Sequence, residues 1–244
     1  MQIAVLSDIH GNLRALEAVL ADAARRGIGR IVNLGDILSG PLDPVGTADR
    51  LMALNLETIR GNHERQLLNL PTERMGLSDA ATIGRLEPRH LKWLAALPET
   101  LWLEHDLYAC HGSPASDLEY LLETVEPEGC RQAREDEVAS RLSGIDAPMI
   151  LCGHTHLPRH LRLADGRQVL NPGSVGLPAY ADDHPFAHVM ESGTPHARYA
   201  VITRGAEGWS AELIAVAYDW QAAAGDAAAA GREDWARALA TGFA

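Results

Sequence analysis

Five short apolar stretches of this chain each run directly into polar residues of the kind that bind metal ions. The carboxyl ends of strands in an open α/β sheet line a common crevice, so the five stretches predict one shared site. Each polar group alone is also an ordinary turn residue, and only the whole set favours metal binding. The groups are Asp8 and His10, Asp36, Asn62 with His63 and Glu64, His111, and His154 with His156.

Two of these groups are pairs spaced two residues apart, Asp8 with His10 and His154 with His156. In an extended segment residues i and i+2 project to one side, so each pair can reach a shared ion. The donors are carboxylates, an amide oxygen and imidazoles, which suits manganese, iron or zinc rather than a thiolate-rich structural site. Glycine precedes three of the donors and lets backbones approach closely there. These glycines are Gly35, Gly61 and Gly153.

The first sixty residues alternate between strand and helix patterns, which predicts parallel pairing through crossover helices. Asn12 is positioned to cap the first helix. The predicted strands are 2–7, 30–34 and 56–60, and the predicted helices are 13–26 and 45–54.

The rest of the chain predicts a second group of strands and more helices. An Asp-Gly pair between alternating runs predicts a hairpin over 160–171. The other predicted elements are helices 88–98 and 129–143, strands within 100–110, strand 148–152, two late strands within 198–218, and a helical tail from about 220. We expect one domain over 1–244, with a core over 2–180 and late strands and a C-terminal helix over 198–244.

Charge and composition exclude several classes of protein. The net charge of −12 argues against a large nucleic-acid footprint, which needs clustered lysine and arginine. No apolar run is long enough to span a membrane, and the opening MQIAVLSD lacks a basic region and a cleavage site. Three cysteines, Cys110, Cys130 and Cys152, fit no disulfide scaffold. We therefore expect a cytoplasmic protein with free thiols.

Taken in order, the five polar groups resemble the signature of the calcineurin-like metallophosphoesterases. The Leu-Pro at 97–98, HGSP at 111–114 and NPGSVG at 171–176 are similar to the compact prokaryotic phosphodiesterase and dinucleoside-tetraphosphatase branch. The resemblance covers about residues 2–180. It implies a four-layer αββα sandwich of two mixed β-sheets flanked by helices.

The resemblance also implies two divalent metal ions and assigns their ligands. Asp36 would bridge both ions. One ion would take Asp8, His10, Asp36 and His156, and the other Asp36, Asn62, His111 and His154. Two divalent ions outweigh the charge of the two carboxylates, so the site would attract a phosphate within an acidic protein.

The implied reaction is phosphoester hydrolysis by direct attack of a metal-bridging hydroxide, with no serine or cysteine nucleophile. His63 follows a ligand position and is the candidate general acid. We expect a small phosphodiester or dinucleoside polyphosphate as substrate. The alternatives are a phosphomonoesterase, including a protein phosphatase, and a metal-binding scaffold without activity. The oligomeric state stays open.

Several other polar residues have a structural and a functional interpretation. Asn12 is more simply a helix cap than a substrate contact, and Asn33 more simply a hydrogen-bonded buried amide. Asn171 and Ser174 either orient a ligand histidine or form a tight turn. Segment 178–198 is expected to be a flexible surface loop, with a lid or specificity loop as the alternative. The remaining histidines are expected on the surface or in loops: 90, 105, 160, 184, 188 and 196.

Overall fold

The computed structural model describes residues 1–142 and 144–244, and two five-stranded sheets form its centre. In chain order the strands are β1 (Gln2–Leu6), β2 (Ile31–Asn33), β3 (Glu57–Thr58), β4 (Leu101–Glu104), β5 (Leu107–Ala109), β6 (Glu123–Glu126), β7 (Gly129–Gln132), β8 (Met149–Leu151), β9 (Arg159–Arg162), β10 (Gln168–Asn171), β11 (Ala179–Asp182), β12 (His188–Glu191), β13 (Ala197–Gly205) and β14 (Gly208–Val216).

The helices are α1 (Leu13–Arg25), α2 (Pro44–Leu54), α3 (Asn62–Asn69), α4 (Leu77–Ile83), α5 (Pro88–Ala96), α6 (Glu135–Arg141), α7 (Trp220–Ala229) and α8 (Glu233–Thr241), with a 3-10 turn at Thr72–Arg74. As expected, Asn12 caps α1, its side chain accepting from the Ala15 amide. None of the helices in the described residues is long and apolar enough to cross a bilayer.

Both sheets are mixed. The first has the order β14-β13-β1-β2-β3, in which β1 to β3 are parallel and β13 is antiparallel to β1. The second has the order β4-β5-β8-β10-β9, in which β5, β8 and β10 are parallel. In the second sheet the three parallel strands are the inner ones, whereas in the first sheet the parallel strands run from the central β1 to the edge strand β3. The carboxyl ends of the parallel strands carry the polar groups.

Strand β1 shows how the layers stack. Ile3 and Val5 belong to the core between the two sheets, whereas Leu6 packs in the cluster that contains Leu16 and Val19 of α1. A strand buried on both faces reads as a continuous apolar run, as β1 does. On the far side of the second sheet, β8 packs against α6. The layers run helix, sheet, sheet, helix, which confirms the predicted αββα sandwich.

The predicted helix over 129–143 is wrong in its first part. Residues 123–126 and 129–132 form the hairpin β6–β7, and α6 begins only at Glu135. Gly129 has a φ of +130°, which favours glycine and permits the turn. Cross-strand pairing thus overrides the polar helical pattern. Residue 143 lies outside the described residues.

Three polar residues also differ from expectation. His90 is fully buried because it lies at the start of α5, where its Nδ1 accepts from the Glu87 amide and its Nε2 lies 3.0 Å from Asp49 Oδ1. His188 is buried at the edge of the candidate site. Asn33 is buried, but its amide atoms have no hydrogen-bond partner among the described residues, so it is not the satisfied amide we expected.

Candidate metal centre

All seven predicted metal ligands converge at one end of the two sheets. His111 Nε2 lies 3.1 Å from Asp36 Oδ2, and His156 Nε2 lies 3.5 Å from Asp8 Oδ1. The Nε2 atoms of His10 and His156 are 3.0 Å apart. The side chains form two sets of possible donor atoms, each set within 4.8 Å: Asp8, His10 and His156, and Asp36, His111 and His154, with Asn62 beside the second set.

The backbone of these residues is not extended, so the argument from strand alternation is wrong for both pairs. Six non-glycine residues of the described chain have positive φ, and five of them are predicted ligands. Such left-handed conformations cost about 1–3 kcal/mol each and concentrate at functional sites. The five are Asp8, His10, Asp36, His154 and His156, with φ between 52° and 69°.

The glycines beside the site are required by close packing, as predicted. A Cβ on Gly35 would overlap the backbone of Gly61, and one on Gly61 would overlap the Asp36 carboxylate. A Cβ on Gly153 would overlap the Ser7 side chain. These contacts let strand ends from different sheets meet with their polar side chains facing inward.

Three of the histidines are held in one tautomer. The Nδ1 atoms of His10, His111 and His156 lie 2.8, 2.8 and 2.6 Å from backbone carbonyl oxygens. A carbonyl oxygen only accepts, so each Nδ1 must carry the proton and donate it. In the neutral form each Nε2 therefore presents a lone pair to the centre, which is the arrangement that metal-binding histidines adopt.

The charges of the site favour a cation at its centre. Asp8 and His111 are fully buried, and Asp8 Oδ1 has no hydrogen-bond partner among the described residues. Burial lowers the pKa of His111, but Asp36 and Asp8 outweigh that effect and raise it to about 10. A positive charge between His111 and the carboxylates is thus stabilised, and a divalent ion would supply it.

The side-chain amide of Asn62 is a second indication that a cation binds at this site. Its inward atom lies 3.3 Å from Asp36 Oδ2, 3.2 Å from His111 Nε2 and 3.0 Å from His154 Nδ1. With the nitrogen inward the amide donates to these atoms. With the oxygen inward, the amide faces Asp36 Oδ2 and, when His111 is neutral, the lone pair of His111 Nε2, and a cation at this point would stabilise all three groups. The donor set therefore fits a metal ion of the type that binds oxygen and imidazole ligands.

His63 lies beside this cluster and is held by a residue that the sequence did not identify. Its Nδ1 is 2.7 Å from Oδ1 of Asp79, which is 2% exposed. The His63 backbone amide donates to Asp36 Oδ1. Because Asp79 engages Nδ1, only Nε2 is left to exchange a proton with a substrate. Asp79 lies in the first turn of α4 and reads in the sequence as an ordinary acidic residue at that position.

Glu64 has a structural role that its place in the sequence motif did not reveal. The carboxylate is fully buried and accepts three backbone hydrogen bonds of 2.8 Å, from Asp36, Ile37 and Gly61. It therefore ties the loop after β2 to the loop after β3. Two predicted ligands, Asp36 and Asn62, lie on the segments that it joins.

We expect Glu64→Gln to lower the free energy of unfolding by about 1–3 kcal/mol, because the amide nitrogen would face backbone N–H groups and leave a buried donor unpaired. Denaturant unfolding measures the difference. Glu73→Gln, at an exposed carboxylate, is the matched control and should change stability little. Equal stability of the Glu64 variant and the wild type would contradict this role.

Asn171 and Ser174 lie behind the ligand loops. Asn171 Nδ2 donates to the Gly153 carbonyl at 2.7 Å and to Thr155 Oγ1 at 3.0 Å. Ser174 Oγ donates to the Asp8 carbonyl at 2.7 Å. Both side chains therefore hold backbone segments that carry predicted ligands. Asn12 is 1% exposed and is engaged in capping and in a bond to the Gly176 carbonyl, which favours the structural interpretation.

Five of the seven predicted ligands, all but Asp8 and His111, line a cavity of about 820 Å³. Three aromatic rings of its wall each contact a different histidine of the centre. Tyr120 contacts His154, Tyr180 contacts His156, and Trp235 contacts His10, with ring centroids 5.0, 4.7 and 5.9 Å apart. His63 also lines the cavity, and its side chain is 25% exposed.

Segment 178–198, expected as a flexible loop, contains the hairpin β11–β12 and forms part of this wall. Tyr180 Oη donates to the His154 carbonyl at 3.2 Å and lies 2.8 Å from Tyr120 Oη. Tyr120 Oη is in turn 3.1 Å from Nε2 of the buried His188. Cross-strand pairing and these bonds fix the segment, although its sequence has little periodicity.

A two-sheet αββα sandwich with carboxylates, an amide and imidazoles at its strand ends defines a metal-dependent phosphohydrolase. The model of the calcineurin-like phosphoesterase superfamily domain matches residues 1–192, and the chain belongs to that superfamily. The sequence-based resemblance is thereby confirmed.

Individual relatives agree with this assignment. An uncharacterized protein of Methanocaldococcus jannaschii is 30% identical over 200 residues, which is 72% of this chain and 76% of that protein. The crystal structure of a metallophosphoesterase from Sphaerobacter thermophilus is 27% identical, with a TM-score of 0.77 and 99% of both chains covered. A hypothetical protein from Pyrococcus horikoshii OT3 shares the fold at 21% identity, with a TM-score of 0.74 and coverage of 99% and 98%.

Proposed function

We propose that this protein hydrolyses a small phosphodiester or a dinucleoside polyphosphate at a dinuclear metal centre. The observation that carries the proposal is the presence of two adjoining donor sets, each with one aspartate and two histidines. Asp8, His10 and His156 would hold one ion, and Asn62, His111 and His154 the other. Asp36 belongs to the second set and would bridge the two ions.

The type of ligand suits manganese, iron or zinc. Two bound ions would supply positive charge to the phosphate oxygens and acidify a water for direct attack on phosphorus. The protein itself contributes orientation, since the three carbonyl-bonded histidines and Glu64 hold the donors in place. No side chain of the centre is needed as a nucleophile.

His63 is the proposed general acid. Burial lowers its pKa, but Asp36 and Asp79 outweigh that effect and raise it to about 9. His63 lines the cavity with Nδ1 held by Asp79, so Nε2 is the atom that would protonate the leaving oxygen. A cavity of about 820 Å³ whose wall includes Tyr120, Tyr180 and Trp235 favours a small organic phosphoester over a folded phosphoprotein.

A screen of metal-reconstituted protein tests the proposal. We expect chelation to abolish hydrolysis, and manganese, iron or zinc to restore it, with bis-p-nitrophenyl phosphate or a dinucleoside tetraphosphate cleaved faster than p-nitrophenyl phosphate or a phosphopeptide. Faster cleavage of the monoesters would favour the phosphomonoesterase alternative. A metal-loaded protein inert towards all four substrates would favour the scaffold.

A further inference from the structure

The C-terminal helices bring a cation to the rim of the candidate site. The family model ends at residue 192, yet Arg232 and Trp235, which lie at the start of α8, line the cavity. Trp235 is 4% exposed and stands edge-on to the His10 ring. A Cβ on Gly40 would overlap the Trp235 indole, so the absence of a side chain at this position makes room for the ring. The sequence predicts only a helical tail here.

The position of Arg232 is fixed by contacts on three sides. Its guanidinium lies over the Trp235 ring, 5.5 Å from the centroid. Nη1 donates to Ser78 Oγ at 3.2 Å, and Ser78 precedes Asp79, the residue that holds His63. The guanidinium and the His10 ring therefore contact the same Trp235 indole. The guanidinium also lies beside α4, the helix whose Asp79 orients His63.

The remaining partner of Arg232 is an exchangeable carboxylate. Nε and Nη2 donate to the two oxygens of Asp234 at 2.9 and 2.6 Å, in the paired geometry that a guanidinium also offers to a phosphate. The side chain of Asp234 is 62% exposed, and such exposed ion pairs contribute only about 0–1 kcal/mol. A phosphate group with greater charge can displace this carboxylate.

A second arginine lines the cavity but is engaged within the protein. Arg141 donates to the carbonyls of Leu121 and Glu123 and to Thr124 Oγ1, at 2.8 to 3.1 Å. Arg141 and Arg232 are the two arginines among the described residues of the cavity wall. Of these two, Arg232 has an exposed side chain, that of Asp234, as its main partner.

We propose that Arg232 binds a second, non-reacting phosphate group of the substrate. The inference rests on the proposed function and narrows its substrate class to compounds with at least two linked phosphates, such as dinucleoside polyphosphates. In this arrangement the metal centre holds the phosphate that reacts, and Arg232 holds a neighbouring one. Asp234 competes with that phosphate for the guanidinium.

Calorimetric titration of metal-loaded protein with inorganic pyrophosphate and with orthophosphate tests the assignment. We expect Arg232→Met to weaken pyrophosphate binding about 10- to 100-fold relative to orthophosphate, since a charge-assisted hydrogen-bond pair is lost. The pyrophosphate affinity of Arg232→Lys should lie between those of the wild type and Arg232→Met, because lysine keeps the positive charge but lacks the planar pair of N–H donors. Asp234→Asn should strengthen pyrophosphate binding up to about fivefold, by removal of the competing carboxylate.

Arg237→Met is the matched control, because Arg237 is exposed on the same helix, and it should leave both affinities and the basal hydrolysis unchanged. The gain in affinity expected for Asp234→Asn cannot arise from misfolding. Equal loss of both affinities in Arg232→Met, or no change in any variant, would overturn the assignment alone. Failure of the wild-type protein to bind either anion would overturn the proposed function together with it.

Discussion

Asp36→Asn should lower kcat more than about 10³-fold and leave at most one metal ion per chain. Asp36 is the carboxylate of the second donor set and the proposed bridging ligand, and its Oδ2 lies 3.1 Å from His111 Nε2. The substitution removes one negative charge from a buried site that needs it to hold two cations. It also disturbs the carboxylate oxygen that accepts from the His63 amide.

The measurement is elemental analysis of reconstituted protein, together with kcat for bis-p-nitrophenyl phosphate. Asp136→Asn makes the same chemical change at a side chain that is 76% exposed on α6, and should retain wild-type metal content and rate. Two tightly bound ions in Asp36→Asn would show that Asp36 does not bridge the ions. An undiminished kcat would remove it from the catalytic centre.

His63→Asn should lower kcat by about 10²–10⁴-fold while the metal content stays at the wild-type value. The reason is that His63 lies beside the donor sets without belonging to either, so its loss removes a proton donor and no ligand. A general acid acts in its protonated form. The wild-type rate should therefore fall as pH rises through the pKa of His63, and the variant should lack that dependence.

Asp79→Asn is the companion variant. We expect a smaller loss of about 10- to 100-fold, because the amide oxygen can still accept from Nδ1 although the negative charge is gone. His105→Asn, at an exposed histidine in the β4–β5 turn, should change nothing. If His63→Asn has an unchanged kcat with its metal intact, His63 has no part in the reaction.

The sequence predicts the main strands of both sheets because each of them has a recognisable apolar run or turn motif. Strand β1 is apolar from Ile3 to Leu6 since both of its faces are buried there, and the Asp-Gly pair at 165–166 marks the β9–β10 hairpin. The grouping of the polar residues follows from a general property of parallel strands, that their carboxyl ends meet at one edge. These inferences need no knowledge of which strands are neighbours.

The parts that the sequence does not predict depend on contacts between distant segments. The positive φ of Asp8 and His10 is imposed by the surrounding loops, whereas the local pattern reads as a strand end. Asp79 and Trp235 reach the site from helices whose sequences indicate only ordinary surface packing. The hairpin β11–β12 depends on cross-strand pairing and on the Tyr120–Tyr180 bond.

The central claim is that two metal ions, held by these donor sets, perform the hydrolysis. Titration of metal-free wild-type protein with manganese or zinc, with bound metal and hydrolysis of bis-p-nitrophenyl phosphate followed together, tests it most directly. We expect activity to rise to its maximum only as the second equivalent binds. Full activity at one equivalent, or hydrolysis by protein that holds no metal, would contradict it.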